Sequence, residues 1–584
     1  MTNPMTNPMT NPVRAALLLV LGALLSGCID LPKSGPVVDA DLAGEHDSDR
    51  ASSIDALPPQ PGDSRLEIVY GFLEAMMAWP ISTNVAKEYL TDDAADEWSP
   101  DATVIYTTLG RSREDGSTVS IRMRDAAAFD ESGAWRDTLP TKRSMLRFRL
   151  TIEDGEFRIL DPLDALVVRS SWFQERYRQA SLFYFDPTAE VLVPEPVFVP
   201  VGETFATTVV TALLARPPAR IRDVVRTFVP ERLSVGLSVQ IIDGVAILDL
   251  HGDTPRMSPA ESELMLAQLA ATLRQDPSIV ALRVSIDGEE LDAPGISPQY
   301  AVTSADAFDP ADTGSTGVLY GLRRGRLVVG GSGELQPVNG PLGYDAYQLA
   351  TFAVAPGAMR VAGVTSDRRQ VLVGPLRAGE DGKDMRSLVS DGTEFARPTW
   401  DASGRLWLLD RRPGGARLLV ADEGGVREVE VAGVTGTDAR RILISRDGTR
   451  LVALVGDGGG DQLVAARIVL GRNGAVERAV GSTVIWSVRN AAAIDVAWTG
   501  VAEVAVLTPA LPGELFEVET VAADGATVGV DTLSSMVPGR VLGLAGEPYA
   551  DTPIYAITRD ALIDVRTGER LPSGTRAREI DFAG

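Results

Sequence analysis

The chain has 584 residues, a formal net charge of −25 at neutral pH, one cysteine and two histidines. Hydrophobic residues make up 45% and charged residues 23%, a balance typical of folded domains, and this length predicts roughly three to four of them. The acidic excess argues against a nucleic-acid partner, because nucleic acid is bound by basic patches. It also argues against a polybasic attachment to anionic lipid.

The only cysteine lies directly after an apolar N-terminal segment. Arg14 supplies a positive charge, residues 15–25 are apolar, and Cys28 follows. The apolar run is too short for a membrane-spanning helix, which needs about 20 residues. The alternatives are a secretory signal without lipid and a buried structural cysteine, but a lone cysteine at this position favours lipid attachment.

The residues before this cysteine resemble a lipoprotein processing sequence. Leu25, Ser26 and Gly27 are the predicted signal-peptidase recognition residues, which makes residues 1–27 a signal peptide. In the lipoprotein pattern the Cys28 thiol carries a diacylglycerol and becomes the first residue after cleavage. Two acyl chains give stable attachment, so this resemblance implies a lipid anchor on the extracytoplasmic face of the cell membrane. No other cofactor is predicted.

Residues 28–63 are predicted to form an acidic tether. Eight acidic residues lie between 29 and 63, against only Lys33 and Arg50, and the proline-rich run PPQPG occupies 58–62. Such a composition cannot build a packed core, and its like charges favour extension.

The first folded unit is predicted over residues 64–180. Ser64 and Glu67 have the spacing of a helix capping box, and apolar residues follow at helical intervals. A second short helix is expected over 83–90, and a hairpin around Asp154 and Gly155. Helices followed by a meander resemble the NTF2-like cone, in which a curved sheet wraps a long helix. No cluster of histidines or carboxylates indicates chemistry inside it.

The second unit is predicted over residues 181–295 as an α+β domain. Two extended runs precede a helix expected over 209–215, and Ser258 with Glu261 predicts a capped helix to about Gln275. The unit closely resembles the GerMN domain. The matching stretches are LLARP at 213–217, TFVP at 227–230, DGVAILDL at 243–250 and VSIDG at 284–288.

The remaining residues, 315–584, are predicted to form a β-propeller. Paired short strands with glycine-rich turns recur about every 45–53 residues, which is the range of four-stranded blades. The length allows five or six blades. Six are favoured because a hairpin over 318–329 could complete the ring with the C-terminal strands. A β-sandwich is the alternative, but it predicts no such repeat.

Few residues could carry chemistry. His46 lies in the tether and His251 follows a strand, so no histidine pair is available to hold a metal. The run between Asp457 and Asp461 lacks the further acids of a calcium loop and is predicted to be a hairpin tip. No catalytic residue, cofactor site or metal site is predicted, and the chain is expected not to be an enzyme. Carboxylates brought together from distant blades, as in propeller glycosidases, are the enzymatic alternative.

The order of these parts resembles the LpqB family of actinobacterial lipoproteins. The resemblance is carried by that order together with CIDLP at 28–32 and AQLAATL at 267–273. It implies a non-catalytic accessory that binds the extracytoplasmic sensor domain of the histidine kinase MtrB. It further implies modulation of MtrA-MtrB two-component signalling in cell-wall homeostasis and division.

Two functions therefore stand at this point. One is the regulatory binding protein; the other is an envelope protein that binds or hydrolyses a cell-wall polymer through the propeller. An exposed apolar patch on the second unit or the propeller favours the first, and a central cluster of carboxylates with aromatic residues favours the second.

Overall fold

The computed structural model describes residues 54–252, 257–291, 299–310, 317–331, 335–344, 347–378, 385–528, 534–547, 552–572 and 577–584. These residues belong to one compact unit, Ser53–Gly584. The predicted signal-peptidase residues Leu25, Ser26 and Gly27, the predicted lipid acceptor Cys28, and His46 lie outside the described residues.

The first domain begins with helix α1, Arg65–Ala75, whose capping box is confirmed. The Ser64 hydroxyl accepts a hydrogen bond from the Glu67 amide, and the Glu67 carboxylate accepts one from the Ser64 amide at 2.7 Å. Buried aromatic residues pack against the helix, with the Phe72 ring 5.3 Å from Trp98 and 5.9 Å from Phe148. Three short helices follow along the domain: α2 Asn84–Lys87, α3 Asp92–Glu97 and α4 Ser170–Arg176.

Two sheets enclose α1, where the sequence predicted a single curved one. Their strands are β1 Ala102–Tyr106, β2 Thr108–Leu109, β3 Arg113–Asp115, β4 Thr118–Arg124, β5 Ala127–Phe129, β6 Trp135–Thr138, β7 Met145–Glu153, β8 Glu156–Ile159 and β9 Ala165–Arg169. One sheet has the order β6-β5-β1-β9 and the other β2-β4-β7-β8, with β3 on β4. The predicted hairpin is the β7–β8 pair, and its turn residues Asp154 and Gly155 have φ of 50° and 86°.

Two predictions for this domain differ from the structure. The helix expected over 83–90 ends at Lys87, because the Tyr89 carbonyl accepts the Ile159 amide and bonds to the β8 edge replace helical ones. The last ten tether residues, 54–63, contact the domain instead of standing free of it. The Ile54 amide donates to the Trp79 carbonyl at 3.1 Å, and the Tyr89 hydroxyl donates to the Leu57 carbonyl at 2.8 Å.

The second domain is an α+β unit. Its elements are β10 Tyr177–Phe185, β11 Leu192–Pro200, α5 Phe205–Leu214, β12 Ser234–Val235, β13 Gln240–Ile242, β14 Val245–His251, α6 Pro259–Leu273, β15 Ala281–Ile286, β16 Glu289–Glu290 and β17 Tyr300–Ala301. A 3-10 helix, Val302–Phe308, follows. Helix α6 connects the parallel strands β14 and β15 and has the predicted capping box. Helix α5 begins one turn earlier than the predicted Val209, because Phe205 extends the same buried face.

The β10–β11 ribbon is shared by the first two domains. Strand β10 runs across the predicted boundary between residues 180 and 181. Phe198 of β11 packs against Phe129 and Phe173 of the first domain, with ring centroids 5.1 and 5.7 Å apart. Phe183 of β10 belongs to the core of the second domain. One ribbon therefore contributes to both hydrophobic cores.

The described part of the remaining chain forms six four-stranded antiparallel sheets, as favoured from the sequence. Blade 1 contains β18 Leu319–Arg323, β19 Arg326–Gly330, β20 Leu335–Pro337 and β41 Arg578–Asp581, and blade 2 contains β21 Leu349–Val354, β22 Arg360–Thr365, β23 Val371–Pro375 and β24 Arg386–Val389. Helix α7, Pro341–Tyr344, connects them. Blade 3 contains β25 Thr399–Trp400, β26 Leu406–Asp410, β27 Arg417–Asp422 and β28 Gly425–Glu428, and blade 4 contains β29 Asp438–Ile444, β30 Arg450–Gly456, β31 Gly460–Leu470 and β32 Val476–Arg489. Blade 5 contains β33 Asp495–Gly500, β34 Glu503–Leu511, β35 Leu515–Ala522 and β36 Ser535–Pro538, and blade 6 contains β37 Val541–Ala545, β38 Tyr555–Thr558, β39 Ala561–Asp564 and β40 Arg570–Pro572.

The first and last strands close the propeller ring. Strand β41 pairs with β18, placing Asp581 opposite Tyr320 and Arg578 opposite Leu322. The inner strands β41, β21, β25, β29, β33 and β37 contact one another in that order, and β37 contacts β41 again. The predicted closure by the first hairpin and the C-terminal strand is confirmed.

Candidate functional site

The centre of the propeller contains a partly buried network of alternating charges. Arg397 lies 3.0 Å from Glu579 and 2.9 Å from Asp581, and Arg441 lies 3.3 Å from Asp495. Burial alone would raise the pKa of Glu579. The charge of Arg397 and its hydrogen bond to the carboxylate outweigh this effect, so the pKa is lowered. For Asp581, burial dominates over both arginines and raises the pKa.

This network leaves little free volume. The cavity lined by Arg441, Asp581 and the neighbouring inner strands measures about 30 Å³, which is the volume of about one water molecule. Each of the three carboxylates also faces a guanidinium. The cavity beside Asp581 therefore lacks space for a sugar ring.

Removing the central arginine should destabilise the propeller. We expect Arg397→Ala to lower the free energy of unfolding by about 1–3 kcal/mol, because Glu579 and Asp581, which are 34% and 26% exposed, would lose their main counter-ion but keep some solvent screening. Thermal denaturation measures the effect, with the exposed Arg326→Ala as the matched control. Equal melting temperatures for the two variants would contradict a stabilising role for this network.

The residues considered for metal binding are placed in other roles. The Asp457 amide donates to the Gly460 carbonyl, which confirms the predicted hairpin tip between β30 and β31. The Asp461 carboxylate accepts a hydrogen bond from the Ala493 amide at 2.6 Å and forms an ion pair with Arg440. His251 is exposed and lies 3.4 Å from Asp287. In the described ranges, no three His, Cys, Asp or Glu side chains group as metal ligands would.

A buried ion cluster joins the second domain to the propeller. Glu195 of β11 is fully buried; its carboxylate lies 2.5 Å from Arg220 and 3.5 Å from Arg450, and it pairs with Arg467. Burial alone would raise the pKa of Glu195, but these three guanidiniums hold it at about 2. Burial and the charge of Arg467 lower the pKa of Arg450 to about 10. One carboxylate thus balances arginines from two domains.

The same cluster reaches the first domain. Arg220 donates a hydrogen bond to the Trp135 carbonyl at the start of β6, and its guanidinium lies 4.0 Å from Asp524 of the propeller. Sequence analysis missed this cluster. Its signal was the lone acidic residue in the apolar run Leu192–Pro200, because a carboxylate in a buried strand requires a partner.

An exposed apolar surface lies at one edge of the second domain. We call it the apolar edge patch and define it by Ile241, Ile242 and Val280, whose exposed fractions are 39%, 54% and 61%. In the described part of the chain β13 pairs with β14 alone, and its two neighbouring isoleucines point to opposite faces of this short edge strand, each partly exposed.

The tight turn after β13 brings Val280 to this edge. Asp243 and Gly244 have φ of 50° and 78°, the left-handed backbone that a two-residue hairpin turn requires. The Val280 amide donates to the Gly244 carbonyl at 2.8 Å, so Ile242 and Val280 flank the turn. The sequence analysis did not identify the patch. The signal was two adjacent isoleucines in one short strand, which cannot both face a core.

The domains match three family models. "Lipoprotein LpqB, N-terminal domain" matches residues 58–174, "Sporulation and spore germination" matches residues 181–292, and "Lipoprotein LpqB beta-propeller domain" matches residues 325–541. The order of the matches is that of the first domain, the second domain and the propeller. The chain belongs to the LpqB family. The predicted multidomain architecture, with a GerMN-like domain before a propeller, is confirmed.

Relatives of this family match most of the chain. "Lipoprotein LpqB" of Thermobifida fusca is 27% identical over 78% of this chain and 81% of its own length. "Lipoprotein LpqB" of Streptomyces coelicolor is 27% identical over 95% of this chain and 94% of its own length. The solved structure of the "First GerMN domain of the sporulation protein GerM from Bacillus subtilis" is 23% identical, covers 21% of this chain and 96% of its own, and has a TM-score of 0.19.

The names of these relatives also concern attachment to the membrane. The relatives are named lipoproteins, which makes this chain a membrane-anchored member of the LpqB family. Across the ranges that the structure describes, no helix combines the length and the apolar character needed to cross a bilayer.

Proposed function

We propose that this chain is a non-catalytic accessory, anchored by a diacylglycerol on Cys28 at the extracytoplasmic face of the membrane. It binds the sensor domain of the MtrB histidine kinase and thereby modulates MtrA-MtrB signalling in cell-wall homeostasis and division. The partner is taken from the family resemblance. The observation that carries the binding role is the apolar edge patch, because the exposed Ile242 and Val280 flank one turn and grouped exposed apolar side chains mark protein contacts.

Two features of the structure support a binding role for this patch. The patch is on the end of a sheet whose neighbouring strands β14 and β15 are paired in a fixed register. The Glu195 cluster fixes the second domain to the propeller, so the patch is presented from a rigid body. A preformed surface loses less conformational entropy on binding than a flexible one.

The propeller channel also favours the binding accessory over the glycan hydrolase. A glycosidase needs two carboxylates separated by room for a sugar and, in some cases, a water molecule. Here Glu579 and Asp581 both contact Arg397, and the adjoining cavity holds about 30 Å³. This arrangement favours the accessory over an envelope hydrolase that uses the channel.

Charged substitutions in the patch should weaken partner binding. We expect the double variant Ile242→Asp/Val280→Asp to bind the purified sensor domain at least about tenfold more weakly, because two apolar contacts would be replaced by desolvated carboxylates. Isothermal titration calorimetry measures the affinity. The matched control is Val484→Asp/Leu511→Asp, which adds the same charge at apolar residues of the propeller that are 52% and 55% exposed.

The outcomes separate the proposals. Equal losses in the two double variants would contradict recognition through the patch. If the unmodified chain shows no sensor binding even at high micromolar concentration but binds or cleaves cell-wall glycan, the accessory function is wrong.

A further inference from the structure

A large polar groove lies between blades 2, 3 and 4 of the propeller and the β10–β11 turn of the second domain. Its volume is about 1040 Å³, comparable to the larger ligand pockets of proteins. Arg360 and Arg386 line it from blade 2, Arg405 from blade 3 and Arg472 from the β31–β32 turn. The groove is separate from the apolar edge patch and from the central channel.

The charges of the groove differ from those of the whole chain. Its lining contains five arginines and three carboxylates, in a chain whose net charge is −25. Of the three acids, Asp422 is paired with Arg427 at 3.1 Å, whereas Glu190 and Glu423 are exposed. The groove is therefore a local site of positive charge on an acidic protein.

Three of the arginines are not paired with a carboxylate in the part of the chain that the structure describes. Among the described residues, no carboxylate lies within ion-pair distance of Arg360, Arg386 or Arg472. The pKa of Arg360 is lowered by burial and by the charge of Arg386, so these two guanidiniums lie close enough to repel each other. An anion between them would relieve this repulsion.

The surroundings hold the guanidiniums in place. The Arg360 guanidinium lies 4.8 Å from the centre of the buried Trp400 ring, a cation–π contact that orients it. Arg405 is 4% exposed; its Nε donates to Asp401 and its Nη1 donates to the Gly474 carbonyl, each at 2.7 Å. Its Nη2 is buried and has no hydrogen-bond acceptor in the described part of the chain. Arg405 is therefore fixed by its own partners and adds positive charge to the groove lining.

We propose that this groove binds an extended anion that carries several phosphate groups. Arginine forks bind phosphate through paired charge-assisted hydrogen bonds, and a tetrahedral phosphate accepts them from several directions. The spread of arginines over three blades suits phosphates repeated along a chain or clustered on a head group. This site goes beyond the proposed partner binding, since it lies on another domain and takes another class of ligand.

Titration with a defined probe tests the groove. The protein is the chain from residue 29 onward, which retains the compact unit Ser53–Gly584. We expect tripolyphosphate to bind in isothermal titration calorimetry at low salt, with an affinity that falls as salt is added. Arg360→Gln/Arg386→Gln should weaken binding by about tenfold or more, since two charge-assisted contacts are lost.

The matched control removes the same charge from another part of the propeller. Arg326→Gln/Arg489→Gln changes two exposed arginines of β19 and β32 and should alter the affinity by less than about twofold. Melting curves establish that both double variants remain folded. Equal weakening in both would overturn the site in favour of general charge attraction. Absence of binding to the unmodified protein at millimolar tripolyphosphate and to anionic vesicles would overturn it as well.

Vesicles distinguish the two sources of phosphate. Co-sedimentation with phosphatidylglycerol vesicles, but not with phosphatidylcholine vesicles, assigns the groove to an anionic lipid head group if the blade 2 variant abolishes it. Binding of tripolyphosphate without co-sedimentation assigns it to a soluble phosphate polymer.

Discussion

Replacing Glu195 with alanine should lower the free energy of unfolding by about 3–5 kcal/mol, because removal of one partner from a buried ion cluster leaves the others uncompensated. Arg220, Arg450 and Arg467 would then face one another in an interior from which solvent is excluded. Since these arginines belong to two domains, we also expect the second domain and the propeller to melt in separate transitions.

Differential scanning calorimetry measures this effect. The matched control is Glu203→Ala, an exposed glutamate of the same domain, for which we expect little change. A single transition at an unchanged temperature in Glu195→Ala would show that the cluster does not hold the domains together.

The Glu195 carboxylate also determines how the stability of the fold depends on pH. The pKa of Glu195 falls from 4.5 to about 2 on folding, so the ionised form stabilises the native state. Its contribution is complete above about pH 4.5 and is lost as the pH falls towards 2. We expect melting temperatures of the unmodified chain to fall over this window more steeply than those of Glu195→Gln. Parallel curves would contradict this assignment.

Replacing Cys28 with serine should release nearly all of the protein from the membrane. The predicted diacylglycerol needs the thiol, and Cys28 is the only cysteine of the chain. Two acyl chains provide stable attachment, whereas none leaves only weak surface contacts. Membrane fractionation, with labelling by a fatty-acid analogue, measures the change.

Ser34→Ala is the control for this experiment, since it alters a small polar residue of the tether and retains the thiol. It should remain in the membrane fraction and remain labelled. A Cys28→Ser protein that stays in the membrane at its unprocessed size would show that residues 1–27 act as an uncleaved anchor.

Local signals predicted much of the fold. The capping boxes at Ser64 and Ser258 determine where two helices begin. In each box the serine side chain accepts a hydrogen bond from the amide of a glutamate only three residues later, so the signal is local in the sequence. The turns at Asp154 and Asp243 are likewise encoded by adjacent residues. The propeller was visible because each blade repeats the same local pattern.

The sites were hidden because they join residues that are distant in sequence. Glu195 meets Arg450 and Arg467 only after the second domain packs on blade 4, and no periodicity relates those residues. The groove likewise collects Arg360 and Arg472 from different blades. Two local signals were present: Glu195 is the lone acidic residue of an apolar strand, and Ile241 and Ile242 are adjacent apolar residues that point to opposite faces of a strand.

The pairing of β41 with β18 makes completion of the chain a condition for closing the ring. A chain that emerges N-terminus first can form blades 2 to 6 in sequence, but the Leu319–Arg323 strand keeps an open edge until Arg578–Asp581 arrives. A product truncated before that strand would expose this edge to other chains and to proteases. Pairing of the last strand therefore determines whether the ring is protected from aggregation and proteolysis.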